Sequence, residues 1–226
     1  MLRYYFIKAH LHYQCYSCKD KLLSSYLKAC LALLDKPLKE IPLLALDLEM
    51  TGLDSKRDQI ISIGIIPIIE GQIKLSKGQH KLIKIKGSVG QSATIHGVVD
   101  HDLQQAIALQ EALQWLLKEA TGSLLIAHHA PLDLRFLEQA ILKQRAQKCR
   151  FIAIDTLHIE QSRLLRKQSI IKKGELRLGN CRSRYNLPYY EGHNALIDAL
   201  ACAELLQAQL SRMGGIDKIK VSELLR

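Results

Sequence analysis

Short apolar runs closed by acids or turn residues alternate with helical spacings along most of this chain. Leu43 to Glu49 is an apolar run ending in acids, the pattern of a buried strand. Gln59 to Ile69 is almost continuous isoleucine and predicts a second strand, closed by Glu70-Gly71. Ile73 to Ile85 alternates, as in HKLIKIK, which suits a third, half-exposed strand. Beyond it the spacing predicts a helix over Leu103–Ala120, a strand over Leu124–Ala127, a helix over Leu134–Lys148, a strand over Phe151–Ile154 and a helix over Leu157–Lys167. The longest helical pattern, Leu196–Met213, is stopped by Gly214-Gly215. Three strands followed by alternating helices and strands predict an α/β fold, a mixed sheet with helices on both faces.

Residues 1–41 differ in texture, being rich in Lys, Leu, Tyr and Cys. Leu23, Leu27, Cys30 and Leu34 fall at helical spacing and predict one amphipathic helix, with Pro37 and Pro42 punctuating its exit. The expected organisation is an N-terminal extension (1–41) packed on one domain (42–215), followed by a C-terminal tail (216–226). A chain of 226 residues suffices for one well-cored domain with some extra material. Six cysteines in a domain of this size read as buried thiols in a reducing compartment rather than a disulfide framework. No apolar run reaches the roughly eighteen residues a membrane span needs. The first residues also lack a long apolar core with a small-residue cleavage site. A cytoplasmic location without membrane contact is expected.

The candidate chemistry lies in three clusters: Asp47 and Glu49 in LALDLEMTGL, Asp133 in IAHHAPLDLRFL, and His193 with Asp198 in GHNALIDA. Two residues apart on a strand, Asp47 and Glu49 share a face. Two carboxylates at the end of an apolar strand repel each other and are costly to bury unpartnered. A hard divalent cation, Mg²⁺ or Mn²⁺, resolves this, since it takes carboxylate and water oxygens. Singly, the acids also have ordinary readings: D-x-E as surface acids at a strand end, and Asp133 as a helix N-cap. Asp198 is harder to explain so, because it falls on the apolar stripe of its helix with Ala195, Ala199 and Cys202. His193 precedes that helix, behind Gly192, and an imidazole of ordinary pKa near 6.5 suits a general base at neutral pH. Taken together, the clusters point to phosphodiester hydrolysis.

In this order the three clusters resemble the motifs of the DEDDh exonucleases, the branch of the DnaQ-like, ribonuclease H-fold superfamily that includes the polymerase III epsilon proofreading subunit, ribonuclease T and oligoribonuclease. LALDLEMTGLDSKRDQIISIG is similar to the first motif, IAHHAPLDLRFL to the second and HNALIDALACAELL to the third, with TIHGV (94–98) and IDTL (154–157) at the places of shorter ones. The resemblance implies a ribonuclease H-like mixed sheet and a 3′→5′ exonuclease releasing nucleoside 5′-monophosphates. It implies that Asp47, Glu49, Asp133 and Asp198 hold two Mg²⁺ or Mn²⁺ ions while His193 takes a proton from the attacking water. Thr51 would meet the terminal 3′-OH, partly through its backbone, and Met50 and Leu53 would flank the last base; core packing is their ordinary alternative. His96 would face the terminal nucleotide, or serve as a satisfied structural histidine. Two departures concern the substrate: His129 and Leu132 stand where the second motif commonly carries Asn and Phe, which changes the hydrogen-bonding inventory and removes an aromatic wall.

A formal charge of +10 favours a polyanionic partner. Single-stranded DNA is the first expectation and short RNA the second, since the motifs do not read the 2′-OH. A non-catalytic nucleic-acid-binding or docking module on the same fold is the rival from another class. Arg163, Arg166, Lys167, Lys172, Lys173, Arg177, Arg182 and Arg184 face a single acid, Glu175, within their stretch. They read either as a solvated face or as a track for a phosphate backbone. His10, His12, Cys15 and Cys18 are ligand types for zinc at compressed spacing. The extension could instead dock a protein partner or a second copy of the chain.

Overall fold

The computed structural model describes residues 2–88 and 102–225. The TIHGV motif, with His96, lies outside the described residues. Strand β1 (Leu43–Met50) is the centre of the sheet. On one side it pairs antiparallel with β2 (Ile60–Ile69), Asp47 opposite Gly64 and Glu49 opposite Ser62. The far edge of β2 carries two short antiparallel strands, β3 (Gln72–Ile73) and β4 (Gln79–Leu82). On its other side β1 pairs parallel with β5 (Leu124–Ala127), and β5 with β6 (Ala153–Asp155). β1 and β2 are buried on both faces for most of their length, which is why they read as continuous apolar runs rather than alternating ones.

Two helices, α1 (Leu2–Ser17) and α2 (Lys21–Leu33), precede the sheet where the pattern predicts one. The spacing of Leu23, Tyr26, Leu27, Cys30 and Leu33 exposes α2 to a sequence reading, since all five are buried. α1 gives no such signal: Tyr5, Phe6, Tyr13 and Tyr16 point outward, while Leu11 and the polar Gln14 are buried. Gln14 earns its burial by pairing with the backbone of Arg150, donating from Nε2 to the carbonyl (3.2 Å) and accepting from the amide (2.6 Å). An Asp20–Arg145 ion pair adds to the seam. Leu11 and the buried face of α2 join the same apolar core as the sheet, as do Ile219, Val221, Leu224 and Leu225 near the C-terminus.

Of the remaining helices, α3 (Leu109–Ala120) packs on α2 and α4 (Ala130–Arg145). α5 (Thr156–Leu165) and the short α6 (Leu178–Ser183) lead to α7 (Ala195–Arg212), which lies across β1 and β2; α8 (Val221–Leu224) closes the described chain. Two expectations are corrected. The single strand over Ile73–Ile85 is split by a 3₁₀ turn, Leu75–Lys77, because Lys77 and Gly78 donate back to the carbonyls of Lys74 and Leu75. The helix over Leu103–Ala120 starts as a separate 3₁₀ turn, Asp102–Gln105, and α3 begins only at Leu109. Between them Ile107 is drawn into extended pairing, donating to Leu82 O and accepting from Lys84 N, both at 2.9 Å. Tertiary pairing there overrides local propensity.

Candidate active site

Alternation along β1 sends Leu44, Leu46 and Leu48 to one face and Asp47 and Glu49 to the other. Gly64, beside Asp47 on β2, decides what covers that second face. A Cβ there would lie 2.2 Å from the Ala195 carbonyl carbon and 2.3 Å from both Ala195 O and Leu196 N. Only a glycine lets the first turn of α7 lie directly on the sheet. Asp198 sits in that first turn, and carboxylate oxygens of Asp47, Glu49 and Asp198 come within 4.8 Å of one another. Among the described residues this is the one cluster of three groups able to hold a cation; His10, His12, Cys15 and Cys18 are not brought into one.

Asp133 is buried in the first turn of α4 and is not the N-cap; that position belongs to His129, because α4 starts four residues before Leu134 with Pro131 in its first turn. Asp133 lies outside the 4.8 Å set, yet its charge acts on Asp47. Burial is the main force pushing the Asp47 carboxyl well above the usual range, followed by the charges of Asp133, Asp198 and Glu49. Burial and Asp198 lift Glu49 to about 7. Asp133 is lifted to about 8, again mainly by burial, with Asp155 and Glu49 adding and backbone hydrogen bonds opposing. Asp198 is raised by burial and partly relieved by His193. Four mutually repelling carboxylates, half-buried or buried, form an all-oxygen donor set that fits a hard divalent cation.

His193 is exposed and has a left-handed backbone (φ 70°). Its amide donates to Asp198 Oδ2 at 2.7 Å, while Asn194 caps α7 by accepting from Leu196 and Ile197 N–H. The structure thus brings His193 and the four acids to one end of β1. The remaining candidates divide. Leu53 is 76% exposed and Met50 is half-buried against the core. The Thr51 hydroxyl accepts from Gln59 N (3.0 Å) and its own N–H donates to Gln59 O (3.0 Å), so both hold the 51–59 loop. His129 is exposed, with a left-handed backbone (φ 75°), and its amide donates to Asp155 Oδ1 at 3.0 Å.

Three further residues shape the site, all of them inside the quoted motifs but not among the site residues predicted there. Asp155 caps α5 and the approach to α4 at once, accepting from Leu157 and His129 N–H. His128 donates from Nε2 to Leu176 O (2.8 Å), and its Nδ1 meets the Thr156 hydroxyl (2.9 Å). Gly64 has the clearest signal, an isolated glycine inside an isoleucine strand. In the basic stretch, Arg163 and Arg184 pair with buried Glu160 and Arg182 with Glu204. Arg166, Lys167, Lys172, Lys173 and Arg177 stay exposed.

A family model described as an exonuclease, RNase_T, matches residues 44–206. This chain belongs to the RNase_T exonuclease family. The PolC-type DNA polymerase III of Thermotoga petrophila is 30% identical over 84% of the chain, which spans only 13% of that polymerase's length. The fold is shared with the nuclease domain of 3′hExo, a DEDDh family member bound to rAMP (12% identity, TM-score 0.62, covering 79% of this chain and 95% of that one). It is shared equally with E. coli Exonuclease I in complex with a dT13 oligonucleotide (14% identity, TM-score 0.62, covering 77% and 42%). The exonuclease domain is built on a mixed sheet flanked by helices, the fold it shares with these nucleases. Among its described residues no helix is long and apolar enough to cross a membrane.

Proposed function

We propose that this exonuclease domain works from the 3′ end of single-stranded DNA, depends on two Mg²⁺ or Mn²⁺ ions and releases nucleoside 5′-monophosphates. The observation that carries the reading is the convergence of Asp47, Glu49 and Asp198 within 4.8 Å, with buried Asp133 beside them. These four would hold the cations. Bound there, the ions would supply a lowered water pKa and stabilisation of the developing charge on the departing 3′-oxygen. His193, on an exposed approach three residues long, would accept the proton of the attacking water at its imidazole. Leu53, exposed beside the acids' strand, is free to meet the terminal base, with Met50 behind it. His129 would lie along the strand with an exposed imidazole, and Thr51 would act through the loop it braces. His96 keeps its proposed place near the terminal nucleotide from the resemblance alone.

DNA is favoured because the more similar curated relatives are DNA polymerase III proteins, which also makes a polymerase a candidate partner. RNA is the second reading, favoured by the fold shared with the rAMP-bound 3′hExo domain. The test is digestion of a 5′-labelled single-stranded DNA and its RNA twin, with Mn²⁺ or with EDTA, using Asp47→Ala as control. A metal-dependent ladder shortening from the 3′ end and absent in the variant is expected, faster on DNA. Faster cleavage of RNA would overturn the substrate assignment, and a ladder surviving in EDTA would overturn the metal assignment. No cleavage of either strand would favour a non-catalytic binding module.

A further inference from the structure

The segment between α5 and α7 carries His193, and its backbone immediately before that histidine is tied down by one buried cation. Arg182, on α6, is only 3% exposed. One terminal nitrogen donates to Ala201 O, inside α7, at 2.6 Å. The other donates to Pro188 O at 2.9 Å and to Glu204 Oε2, also on α7, at 2.7 Å. The guanidinium carbon lies 4.5 Å from the centre of the Tyr190 ring, and the Tyr190 hydroxyl donates to Glu204 Oε1 at 3.0 Å. Arg182, Glu204 and Tyr190 therefore form a closed set that fixes residues 188–190 to the helix holding Asp198.

The other end of the approach is fixed to the same helix. Asn194 caps α7, and the His193 amide donates to Asp198. Only Glu191, Gly192 and His193 lie between the two anchors, at most about 14 Å of extended chain from one flanking Cα to the other. Gly192 lies against Asp198, since a Cβ there would come 3.9 Å from Asp198 Oδ1, an ordinary contact distance. Side chains that anchor both ends of so short an approach govern where its imidazole can go, and misplacement by about 1 Å can cost on the order of a hundredfold in rate.

We infer that Arg182, with Glu204 and Tyr190, is a positioning residue for His193: it holds the approach to α7 so that the imidazole stays registered with Asp198. The inference rests on the proposed exonuclease reading with His193 as base. The planar fork matters because the acceptors are shared between two separate nitrogens, one serving Ala201 O and the other Pro188 O and Glu204, a span that the single nitrogen of an ammonium lacks.

The experiment is a double-mutant cycle on the 226-residue chain with Mn²⁺ and whichever labelled strand the wild type digests. Arg182→Lys should lower kcat about 10–100-fold at unchanged KM. The rise in Tm on adding Mn²⁺ should stay at its wild-type size, because the carboxylates are untouched. Combined with His193→Ala, Arg182→Lys should cost nothing further, since the group it positions is gone. Tyr190→Phe and Glu204→Gln, milder changes at the same set, carry the same cycle should Arg182→Lys fail to fold. Losses that add to those of His193→Ala, or a rise in KM with a lost Mn²⁺ response, would overturn the positioning role and leave the base intact. Wild-type turnover in His193→Ala would remove the base and the positioning role together.

Discussion

A carboxylate gathered with its like in a poorly solvated place is unfavourable until a cation joins it. Asp47, Glu49, Asp133 and Asp198 all have folded-state pKa values above their ordinary ones, with burial the largest cause in each. For a raised carboxyl the contribution to stability is fully present below the unfolded pKa, near 4. It is lost as pH rises through the folded value, about 7 for Glu49 and about 8 for Asp133. At pH 7.5 the metal-free protein therefore bears the cost of its own site. Asp47→Asn, which keeps the shape and removes the charge, should raise metal-free stability by the order of 1 kcal/mol while turnover falls to background and the Mn²⁺-induced rise in Tm shrinks. Thermal unfolding with and without Mn²⁺ reads all but turnover; a metal-free Tm that drops would mean that Asp47 is an ordinary structural acid.

One missing methyl group places the third motif. A Cβ added at Gly64 would fall 2.2 Å from the Ala195 carbonyl carbon, so Gly64→Ala must push α7 off β2, and Asp198 and His193 go with it. Overpacking of this kind costs about 1–3 kcal/mol, so a folded but less stable protein is expected. Its exonuclease rate and Mn²⁺ response should both collapse; normal turnover would show that α7 has slack. The strands were legible because β1 and β2 are buried on both faces and read as apolar runs closed by acids or turn residues, and the acids because three clusters fall in the order of a known family's motifs. α1 was not, since its aromatics face outward and its buried polar residue is satisfied only by Arg150, far along the chain. Nor could Asp133 be told from a cap until the start of α4 was seen at Ala130. A second element-scale device is Glu160, fully buried on α5 and shared by Arg163, Arg184 and the Tyr185 hydroxyl. Burial alone would raise its pKa, but hydrogen bonds from Arg163 and Tyr185 and the two guanidinium charges lower it. A depressed carboxyl contributes stability above its unfolded pKa and loses it as pH falls through the folded one. Glu160→Gln should cost about 3 kcal/mol at pH 7, with the gap to wild type narrowing below about pH 4; a gap independent of pH would deny the charge its role.

For the whole molecule, the excess of 32 Lys and Arg over 22 Asp and Glu matters only where cations remain uncommitted. The stretch 163–184 shows how they are sorted. Arg163, Arg182 and Arg184 are spent on internal acids. Its one acid in the interior of the run, Glu175, bonds the Lys172 amide (2.9 Å) and the Gln168 side chain (3.2 Å), bracing the loop without pairing any lysine head group. Lys172 and Lys173 are exposed, and neither has an acidic partner among the described residues. Their loop is tied to the second motif by the bond from His128 Nε2 to Leu176 O (2.8 Å), so a strand entering the proposed site is expected to meet these cations. Each phosphate contact on a single strand releases counterions and adds roughly 0.7 to the slope of log K against log salt. Replacing both Lys172 and Lys173 with Ala should weaken single-strand binding and flatten that slope by about 1.4, with kcat at saturating strand unchanged. Binding isotherms at several salt concentrations decide it. An unchanged slope would make these lysines a solvated face and move the phosphate track elsewhere on the surface, whereas a fall in kcat at saturation would tie the loop to the chemistry rather than to capture of the strand.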